Sequence, residues 1–242
     1  MNLAIDIGNT CVKSALFADN KLHTLKVYDS LEQLIDDSAF IANAQQAIIG
    51  SVVDGLEPLC DKLKQKIPTL IFQSITQIPI TNLYESVATL GSDRLAVAVA
   101  GYYLHPNKSV LTIDAGTCIK YNFTNNKNEY LGGAISPGIR MRFNALQHFT
   151  SKLPLIETDI LFTDLIGTNT QNSILSGVLN GSVAEVDGMI DRYKSQYPEV
   201  LILLTGGDSE YLAERLKNSI FAHQNLVLKG LNDILNYNLE LK

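Results

Sequence analysis

Residues 4–17 read AIDIGNTCVKSALF, and residues 112–123 read TIDAGTCIKYNF. Both stretches contain Ile-Asp-x-Gly followed by Thr-Cys, then Val or Ile, then Lys, and they differ by one residue in the turn. Each follows a short apolar run and continues into β-forming residues, which predicts a strand, a tight turn at glycine and a returning strand. Glycine turns are common in hairpins, so one copy would indicate only a hairpin. Two matching copies, half a chain apart, indicate an internal duplication.

The sequence around both copies alternates between strand and helix patterns. Short apolar runs predict buried strands at 47–53, 69–73 and 200–204. Helical spacing, with Pro58 in a first turn and Ser92 and Asp93 as a start signal, predicts helices at 30–44, 56–66, 92–105 and 165–192. This alternation on both sides of residue 107 predicts an α/β fold of two similar domains, 1–107 and 108–242.

The composition is that of a globular protein, with 46% hydrophobic and 18% charged residues. A net charge of −6 disfavours a nucleic-acid partner, because binding to phosphate backbones needs clustered Lys and Arg. The cysteines (Cys11, Cys60 and Cys118) are odd in number and far apart, which indicates a reducing compartment and no disulfide framework. The sequence has no signal-peptide pattern and no apolar run of membrane-spanning length, so we expect a cytoplasmic protein without a membrane partner.

The residue types in the duplicated turns suit phosphate chemistry. Phosphoryl transfer needs positioning and neutralised charge, which carboxylates, close backbone N–H groups and Lys or Thr donors supply. The first copy contributes Asp6, Gly8, Asn9, Thr10 and Lys13, and the second contributes Asp114, Gly116, Thr117 and Lys120. In two related domains, we expect these turns to face each other across a cleft and hold one nucleotide. There is no P-loop motif and no well-formed GxGxxG after a strand.

Two further glycine-rich stretches follow apolar strands. Thr205-Gly-Gly-Asp208 precedes a predicted helix, where close backbone approach and a helix N-terminus favour an adenosine-side contact. Leu131-Gly-Gly-Ala-Ile-Ser-Pro-Gly138 is interpreted as a phosphate or substrate wall. Taken alone, each stretch would indicate only a tight turn, and the duplication favours the functional interpretation.

These motifs, in this order, resemble those of the type III pantothenate kinases, a family with duplicated actin-like (ribonuclease H-like) domains and a nucleotide cleft between them. The resemblance covers nearly the whole chain. Besides the stretches already quoted, it rests on Gly50-Ser-Val-Val53, Tyr84, Gly91-Ser-Asp-Arg94, Leu153-Pro154, Gly167-Thr-Asn-Thr170 and Leu226-Val-Leu-Lys-Gly-Leu231. Many relatives carry Asn-Pro shortly after the tyrosine, where this chain has Ser86 and Val87.

The resemblance implies ATP-dependent phosphorylation of pantothenate to 4'-phosphopantothenate, which opens coenzyme A biosynthesis. It implies ATP, Mg²⁺, a monovalent cation (K⁺ or NH₄⁺) and a homodimer whose interface builds the pantothenate pocket. Asp114 would bind the monovalent cation, and Asp6 would bind Mg²⁺, directly or through water. The remaining expected contacts are ATP with Asp6, Ile7, Gly8, Asn9, Thr10, Cys11, Val12, Lys13, Thr117, Gly206 and Gly207, and pantothenate with Tyr84, Gly91, Ser92, Asp93, Arg94 and Thr170.

By the same resemblance, Asp93 would be the catalytic base. An Asp with an ordinary pKa near 3.9 is a weak base, but the loose transition state needs the proton removed only late. Its main work would be to orient the attacking hydroxyl, with Arg94 pairing the pantothenate carboxylate or the transferring phosphate. The simpler interpretation is a carboxylate that stabilises a helix N-terminus by about 0.3–1 kcal/mol.

Other functions remain open at the level of the sequence. A related kinase of the same superfamily would act on a sugar or short acid, and the stretch from Tyr84 to Arg94 distinguishes the two by favouring pantothenate. A non-catalytic regulator on the same fold would not need Asp6, Asp93 and Asp114 together. Filament-forming and chaperone relatives carry inserted subdomains for which a chain of 242 residues has no room.

Overall fold

The computed structural model describes residues 1–53, 55–157 and 161–241, which form a mixed α/β fold. The strands are β1 (Asn2–Ile7), β2 (Val12–Ala18), β3 (Lys21–Tyr28), β4 (Gln46–Ser51), β5 (Thr69–Ile71), β6 (Thr81–Asn82), β7 (Val110–Ala115), β8 (Cys118–Thr124), β9 (Glu129–Pro137), β10 (Leu201–Thr205) and β11 (Phe221–Ala222). The α-helices are α1 (Leu31–Asp36), α2 (Ser38–Ile41), α3 (Glu57–Lys66), α4 (Ser92–Leu104), α5 (Ile139–Phe149), α6 (Thr170–Gln196), α7 (Ser209–Ala213) and α8 (Leu226–Glu240). Both hairpins predicted from the duplicated motif are present, as β1–β2 and β7–β8, and the α/β prediction is confirmed.

The chain divides into two compact units. The first contains Met1–Asn107, Thr124–Gly132 and Asn225–Lys242, and the second contains Lys108–Phe123 and Gly133–Gln224. Helix α8 belongs to the first unit because it packs on α4 and β1. The 124–132 segment belongs to it because Glu129 and Tyr130 pair with β6 and Tyr130 is buried in the same core cluster as α4 and α8.

The first unit is built on a five-stranded sheet in the order β3-β2-β1-β4-β5. β1 is antiparallel to β2 and parallel to β4. Alternation along β1 sends Leu3 and Ile5 into one apolar layer and Ala4 into the other, since successive side chains point to opposite faces. The layer with Leu3 is covered by α1, α2 and α3, and the layer with Ala4 by α4 and α8. The central strand β1 is therefore buried on both faces.

Helices α4 and α8 pack with their backbones close together. A Cβ placed on Gly230 of α8 would lie 1.8 Å from the carbonyl oxygen of Ala96 in α4. Small residues at such a contact let two helices approach more closely than ordinary side chains permit. This contact fixes α4, which carries Ser92, Asp93 and Arg94 in its first turn.

The second unit repeats the central part of this topology, with strands in the order β11-β10-β7-β8-β9. β10 is parallel to β7 and to β11, as β4 is parallel to β1 and to β5 in the first unit. One core cluster joins the sheet to α5 and α6 and includes Ile113, Tyr121, Phe143 and Val178. The short strand β6 pairs with the first residues of β9, and this pair lies within the first unit.

Several predicted boundaries were wrong. The helix predicted at 165–192 is α6, Thr170–Gln196, because Asn169 caps its N-terminus by accepting a hydrogen bond from the Asn172 N–H at 2.9 Å. The helix predicted at 30–44 is two short helices, since the Asp37 side chain caps the second by accepting from the Phe40 N–H at 3.1 Å. Within the described parts of the chain, no helix is both long enough and apolar enough to cross a bilayer.

Candidate active site

The first duplicated motif forms the tight turn between β1 and β2. The Gly8 N–H donates to the Cys11 carbonyl at 3.2 Å and closes the turn, leaving Asn9 and Thr10 exposed. Asp6, the residue before the last in β1, is half-buried and lies opposite Lys13 in the antiparallel register. Ile7 and Val12 are buried in the core, so among the predicted ATP residues these two offer only backbone groups to a ligand.

The end of β4 lies beside this turn. In the parallel register Asp6 is opposite Gly50 and Ile7 is opposite Ser51. The Ser92 hydroxyl donates to the Ser51 carbonyl at 3.0 Å. The N-terminus of α4 is thereby attached to the strand end next to Asp6. This hydrogen bond gives Ser92 a positioning role that the sequence alone did not indicate.

The first turn of α4 presents the predicted base. Gly91 precedes the helix, and its missing side chain leaves room for Asp93, since a Cβ there would lie 2.5 Å from Asp93 Oδ1. The same Oδ1 accepts a hydrogen bond from the Arg94 N–H at 2.8 Å. Glycine is therefore needed at residue 91 for this orientation of the Asp93 carboxylate.

Arg94 and Tyr84 are stacked beside the helix start. Arg94 is only 5% exposed, and its guanidinium carbon lies 5.4 Å from the centre of the Tyr84 ring, a cation–π geometry. Gly132 also lies against Tyr84, where a Cβ would be 2.9 Å from the ring. Ser86 and Val87, the residues that stand in place of Asn-Pro, lie at the start of a 3₁₀ turn at Val87–Thr89, in which the Thr89 N–H donates to the Ser86 carbonyl. The first unit thus brings together the predicted pantothenate residues, except Thr170.

The second duplicated motif forms the turn between β7 and β8. Here the Gly116 N–H donates to the Cys118 carbonyl at 3.0 Å, one residue closer than in the first turn. Thr117 is exposed at the tip. The Asp114 carboxylate holds Lys120 Nζ at 2.8 Å, so the predicted ligand of the monovalent cation already carries an ion pair. Lys120 belongs to the quoted motif, but its pairing with Asp114 depends on the strand register.

Two glycines lie against the second turn. A Cβ on Gly206 would be 2.2 Å from the Ala115 carbonyl oxygen, and one on Gly138 would be 2.1 Å from the Gly116 carbonyl oxygen. The Gly138 N–H also donates to the Thr117 carbonyl at 3.1 Å. The predicted adenosine-side pair (Gly206 and Gly207) and the Leu131–Gly138 stretch therefore both reach the turn that carries Thr117.

Asp208 ends the Thr205–Asp208 turn. Its N–H donates to the Ala115 carbonyl at 2.9 Å, and burial raises the pKa of its carboxyl. Perturbed carboxylates of this kind cluster at functional sites. The sequence placed Asp208 in a motif but assigned it no role, because the burial that shifts its pKa is a property of the fold.

Thr170 is exposed at the start of α6 and lines an apolar cavity of about 970 Å³ between α5 and α6. Gly167 packs against the first turn of this helix, where a Cβ would lie 2.2 Å from the Ser173 nitrogen. Phe149, also in the lining, is 82% exposed. An apolar groove that carries an exposed aromatic side chain is a candidate interaction surface.

Oxygen donors near Asp6 fit Mg²⁺ held together with nucleotide phosphates. Across residues 1–53, 55–157 and 161–241, no group of three or more His, Cys, Asp or Glu side chains could enclose a metal ion. Mg²⁺ usually keeps several waters and binds one or two carboxylates plus substrate phosphates, so the half-buried Asp6 beside the exposed Asn9 and Thr10 is a suitable donor set.

Solved structures with the same fold include sugar kinases. A ROK hexokinase from Thermus thermophilus matches with a TM-score of 0.56 at 13% identity, covering 99% of each chain. A Campylobacter jejuni protein of the Baf family, named for transcriptional activation, matches with a TM-score of 0.66 at 19% identity over 98% of this chain and 99% of that one. At such identities the likeness shows the fold alone.

Sequence relatives are far more similar. A type III pantothenate kinase from Bacteroides fragilis strain YCH46 is 46% identical over 242 residues, covering 98% of both chains. One from Christiangramia forsetii is 42% identical over 241 residues, covering 98% of this chain and 99% of the relative. The family model described as type III pantothenate kinase matches residues 2–192. The chain therefore belongs to the type III pantothenate kinase family.

Proposed function

We propose that this protein transfers the γ-phosphate of ATP to the primary hydroxyl of pantothenate, giving 4'-phosphopantothenate in the first step of coenzyme A biosynthesis. Besides family membership, one observation carries the proposal. The Ser92–Ser51 hydrogen bond attaches the helix start bearing Asp93 to the strand end that lies beside Asp6 in register. A carboxylate suited to the acceptor hydroxyl is therefore held next to a turn suited to phosphate. We also propose that the enzyme acts in the cytoplasm.

The proposed ATP contacts come from both duplicated turns. Asp6, Gly8, Asn9, Thr10, Cys11 and Lys13 act through side chains or close backbone groups, and Ile7 and Val12 act through the backbone. Thr117 offers an exposed hydroxyl, and Gly206 with Gly207 offers backbone groups without side chains for the adenosine side. Bound Mg²⁺ would neutralise charge on the phosphates, and Asp6 would hold it directly or through water.

Asp114 is the proposed ligand of a monovalent cation, K⁺ or NH₄⁺. Its Oδ2 pairs with Lys120 Nζ, so the cation must share the carboxylate with an ammonium group. Oxygen ligands suit such cations. This competition predicts that the cation requirement depends on Lys120.

Asp93 is the proposed base, and it accepts the hydroxyl proton as the phosphoryl group leaves ATP. Its Oδ1 is fixed by the Arg94 N–H, which orients the carboxylate at the helix start. The buried Arg94 guanidinium, held over Tyr84, pairs an anionic oxygen of pantothenate or of the transferring phosphate. Gly91, Ser92 and Tyr84 complete the acceptor side.

In the proposed homodimer, a second copy of this chain packs against the apolar cavity between α5 and α6. Met141 and Phe149 in the lining are exposed, and Thr170 lies on the same surface. A dimer formed here would bury the apolar lining together with Thr170, which the family resemblance assigns to pantothenate. Phe149→Glu should give a monomer by light scattering and a raised KM for pantothenate, whereas a dimer unaffected by this change would exclude this interface.

ATP consumption by the purified protein, with and without pantothenate and in K⁺ or Na⁺ buffer, tests the function. The proposal requires turnover that depends on pantothenate and is faster in K⁺. ATP binding without pantothenate-dependent turnover would leave the fold assignment intact but exclude pantothenate as the acceptor.

A further inference from the structure

We infer that Glu185, in the middle of α6, is a positioning residue that holds the second phosphate turn in shape through Ser136 and Arg142. The inference rests on the proposed function, since it assigns this turn to ATP. Glu185 belongs to none of the motifs, and it lies 43 residues from Arg142 along the chain.

The Glu185 carboxylate collects three donors. Oε1 accepts from the Ser136 hydroxyl at 2.5 Å and from the Tyr121 hydroxyl at 3.3 Å. Oε2 accepts from the Arg142 guanidinium at 2.5 Å. Tyr121 is 1% exposed, so the network reaches into the core of the second unit. Both carboxylate oxygens are thus committed to fixed partners.

Hydrogen bonds connect the partners of Glu185 to the turn between β7 and β8. Arg142 Nε donates to the Pro137 carbonyl at 2.9 Å, which fixes the residue between Ser136 and Gly138. Gly138 in turn donates its N–H to the Thr117 carbonyl at 3.1 Å. Gly138 also packs directly on Gly116, with no space for a Cβ. A movement of Ser136 or Pro137 is therefore passed to the turn that carries Thr117.

The carboxylate is ionised at neutral pH. Burial raises the pKa of Glu185, but the hydrogen bonds from Ser136 and Arg142 outweigh burial and leave the pKa below its usual range. Even fully buried ion pairs can often be replaced by apolar side chains without loss of stability, and the Glu185–Arg142 pair is only half-buried, so the pair itself is weak evidence for a role in stability. Its geometric effect is specific, because a bridging carboxylate fixes Ser136 and Arg142 relative to one helix.

Loss of this network should affect ATP more than pantothenate. The proposed pantothenate residues Tyr84 and Gly91–Arg94 belong to the first unit. Thr170 shares α6 with Glu185 but lies 15 residues earlier, about 22 Å along the helix axis. A change confined to the Ser136–Gly138 segment should leave Tyr84 and Gly91–Arg94 in place. Because Pro137 and Arg142 line the same apolar cavity as Thr170, light scattering of each variant shows whether the proposed dimer is retained.

The test compares Glu185→Gln with Asp191→Asn, which removes a carboxylate from the same helix whose ion-pair partner, Lys217, is at the surface. Affinity for a non-hydrolysable ATP analogue is measured by calorimetry, and KM for each substrate is measured by turnover. We expect Glu185→Gln to weaken nucleotide affinity about tenfold and to leave KM for pantothenate within twofold. Asp191→Asn should change neither value. Glu185→Asp, which keeps the charge, should recover part of the affinity.

Ser136→Ala provides a smaller change, since it removes one hydroxyl and retains the Glu185–Arg142 pair. It should weaken nucleotide affinity by a few fold with an unchanged unfolding temperature. If Glu185→Gln does not fold, Ser136→Ala is the variant that tests the inference. Unchanged nucleotide affinity in the folded variants would overturn the inference. It would also be overturned if nucleotide affinity and KM for pantothenate worsened equally, in proportion to the decrease in unfolding temperature. Because nucleotide binding is measured without turnover, a wild-type protein that binds the analogue but ignores pantothenate would refute the proposed function and leave this test valid.

Discussion

Gly230 makes the contact between α8 and α4 whose disturbance is easiest to interpret. In Gly230→Ala, the new Cβ would lie 1.8 Å from the Ala96 carbonyl oxygen and 2.5 Å from its carbonyl carbon. Both obstacles are backbone atoms in the interior of a helix, so no side-chain rotation removes the clash. The two helices must separate.

The magnitude follows from the separation needed. Ordinary contact between heavy atoms is about 3.5 Å, so α8 must move by roughly 1.7 Å against the buried residues around it. Overpacking of this kind typically costs about 1–3 kcal/mol, and a backbone clash belongs at the upper end. The better helix propensity of alanine offsets about 1 kcal/mol. We expect a net loss of about 2 kcal/mol or more, and a raised KM for pantothenate because α4 carries Asp93 and Arg94.

Urea denaturation of wild type, Gly230→Ala and Gly188→Ala measures this effect. Gly188 is exposed within α6 and has no atom within 4 Å of an added Cβ, so alanine there should stabilise the protein by about 0.5–1 kcal/mol. Opposite signs for two identical substitutions are the specific expectation. A Gly230→Ala protein as stable as Gly188→Ala would refute the packing described for α4 and α8.

Three further changes have defined outcomes. Gly91→Ala should lower kcat at least tenfold with little change in unfolding temperature, because its Cβ displaces the Asp93 carboxylate; an unchanged kcat would contradict the role of this glycine. Asp208→Asn should raise the free energy of unfolding at pH 7 but leave it unchanged near pH 3. Burial raises the pKa of this carboxyl in the folded state, so its ionisation lowers stability only at a pH above the pKa of the unfolded state. Equal changes in urea denaturation at both pH values would contradict this. Asp187→Ala should lower the free energy of unfolding by about 2–4 kcal/mol, measured by urea denaturation. The backbone N–H groups of Lys217 and Asn218 and the Asn218 side-chain amide would lose the buried carboxylate that accepts their hydrogen bonds. A decrease under 1 kcal/mol would show that water replaces this acceptor.

The duplicated motif predicted both hairpins because its signal is local. Asp, Gly and the β-forming residues that define each turn lie within about ten residues, and the hydrogen bond that closes each turn joins near neighbours. The same holds for α4, whose start at Ser92 was predicted correctly. The one-residue difference between the motifs is seen in the hydrogen bonds that close the turns. Gly8 bonds to Cys11, three residues later, and Gly116 bonds to Cys118, two residues later.

Features that depend on distant pairing were not predictable from the sequence. The return of α8 to the first unit depends on Gly230 meeting Ala96, two residues 134 positions apart in the sequence. The Ser92–Ser51 and Glu185–Arg142 contacts have no local pattern, since each joins groups from different elements. Asn169 was quoted in a motif, yet its function as a helix cap became clear only from the hydrogen bond it accepts.

Direct detection of phosphorylated pantothenate tests whether this protein transfers phosphate to pantothenate with Asp93 as the base. Wild type and Asp93→Asn are incubated with labelled ATP and pantothenate, and the acceptor is analysed by mass spectrometry. We expect the wild type to transfer the γ-phosphate to pantothenate. The variant should bind ATP normally but transfer phosphate roughly 10²–10⁴-fold more slowly, the usual contribution of a positioned base. Labelled inorganic phosphate without phosphopantothenate, or full transfer by Asp93→Asn, would contradict the account.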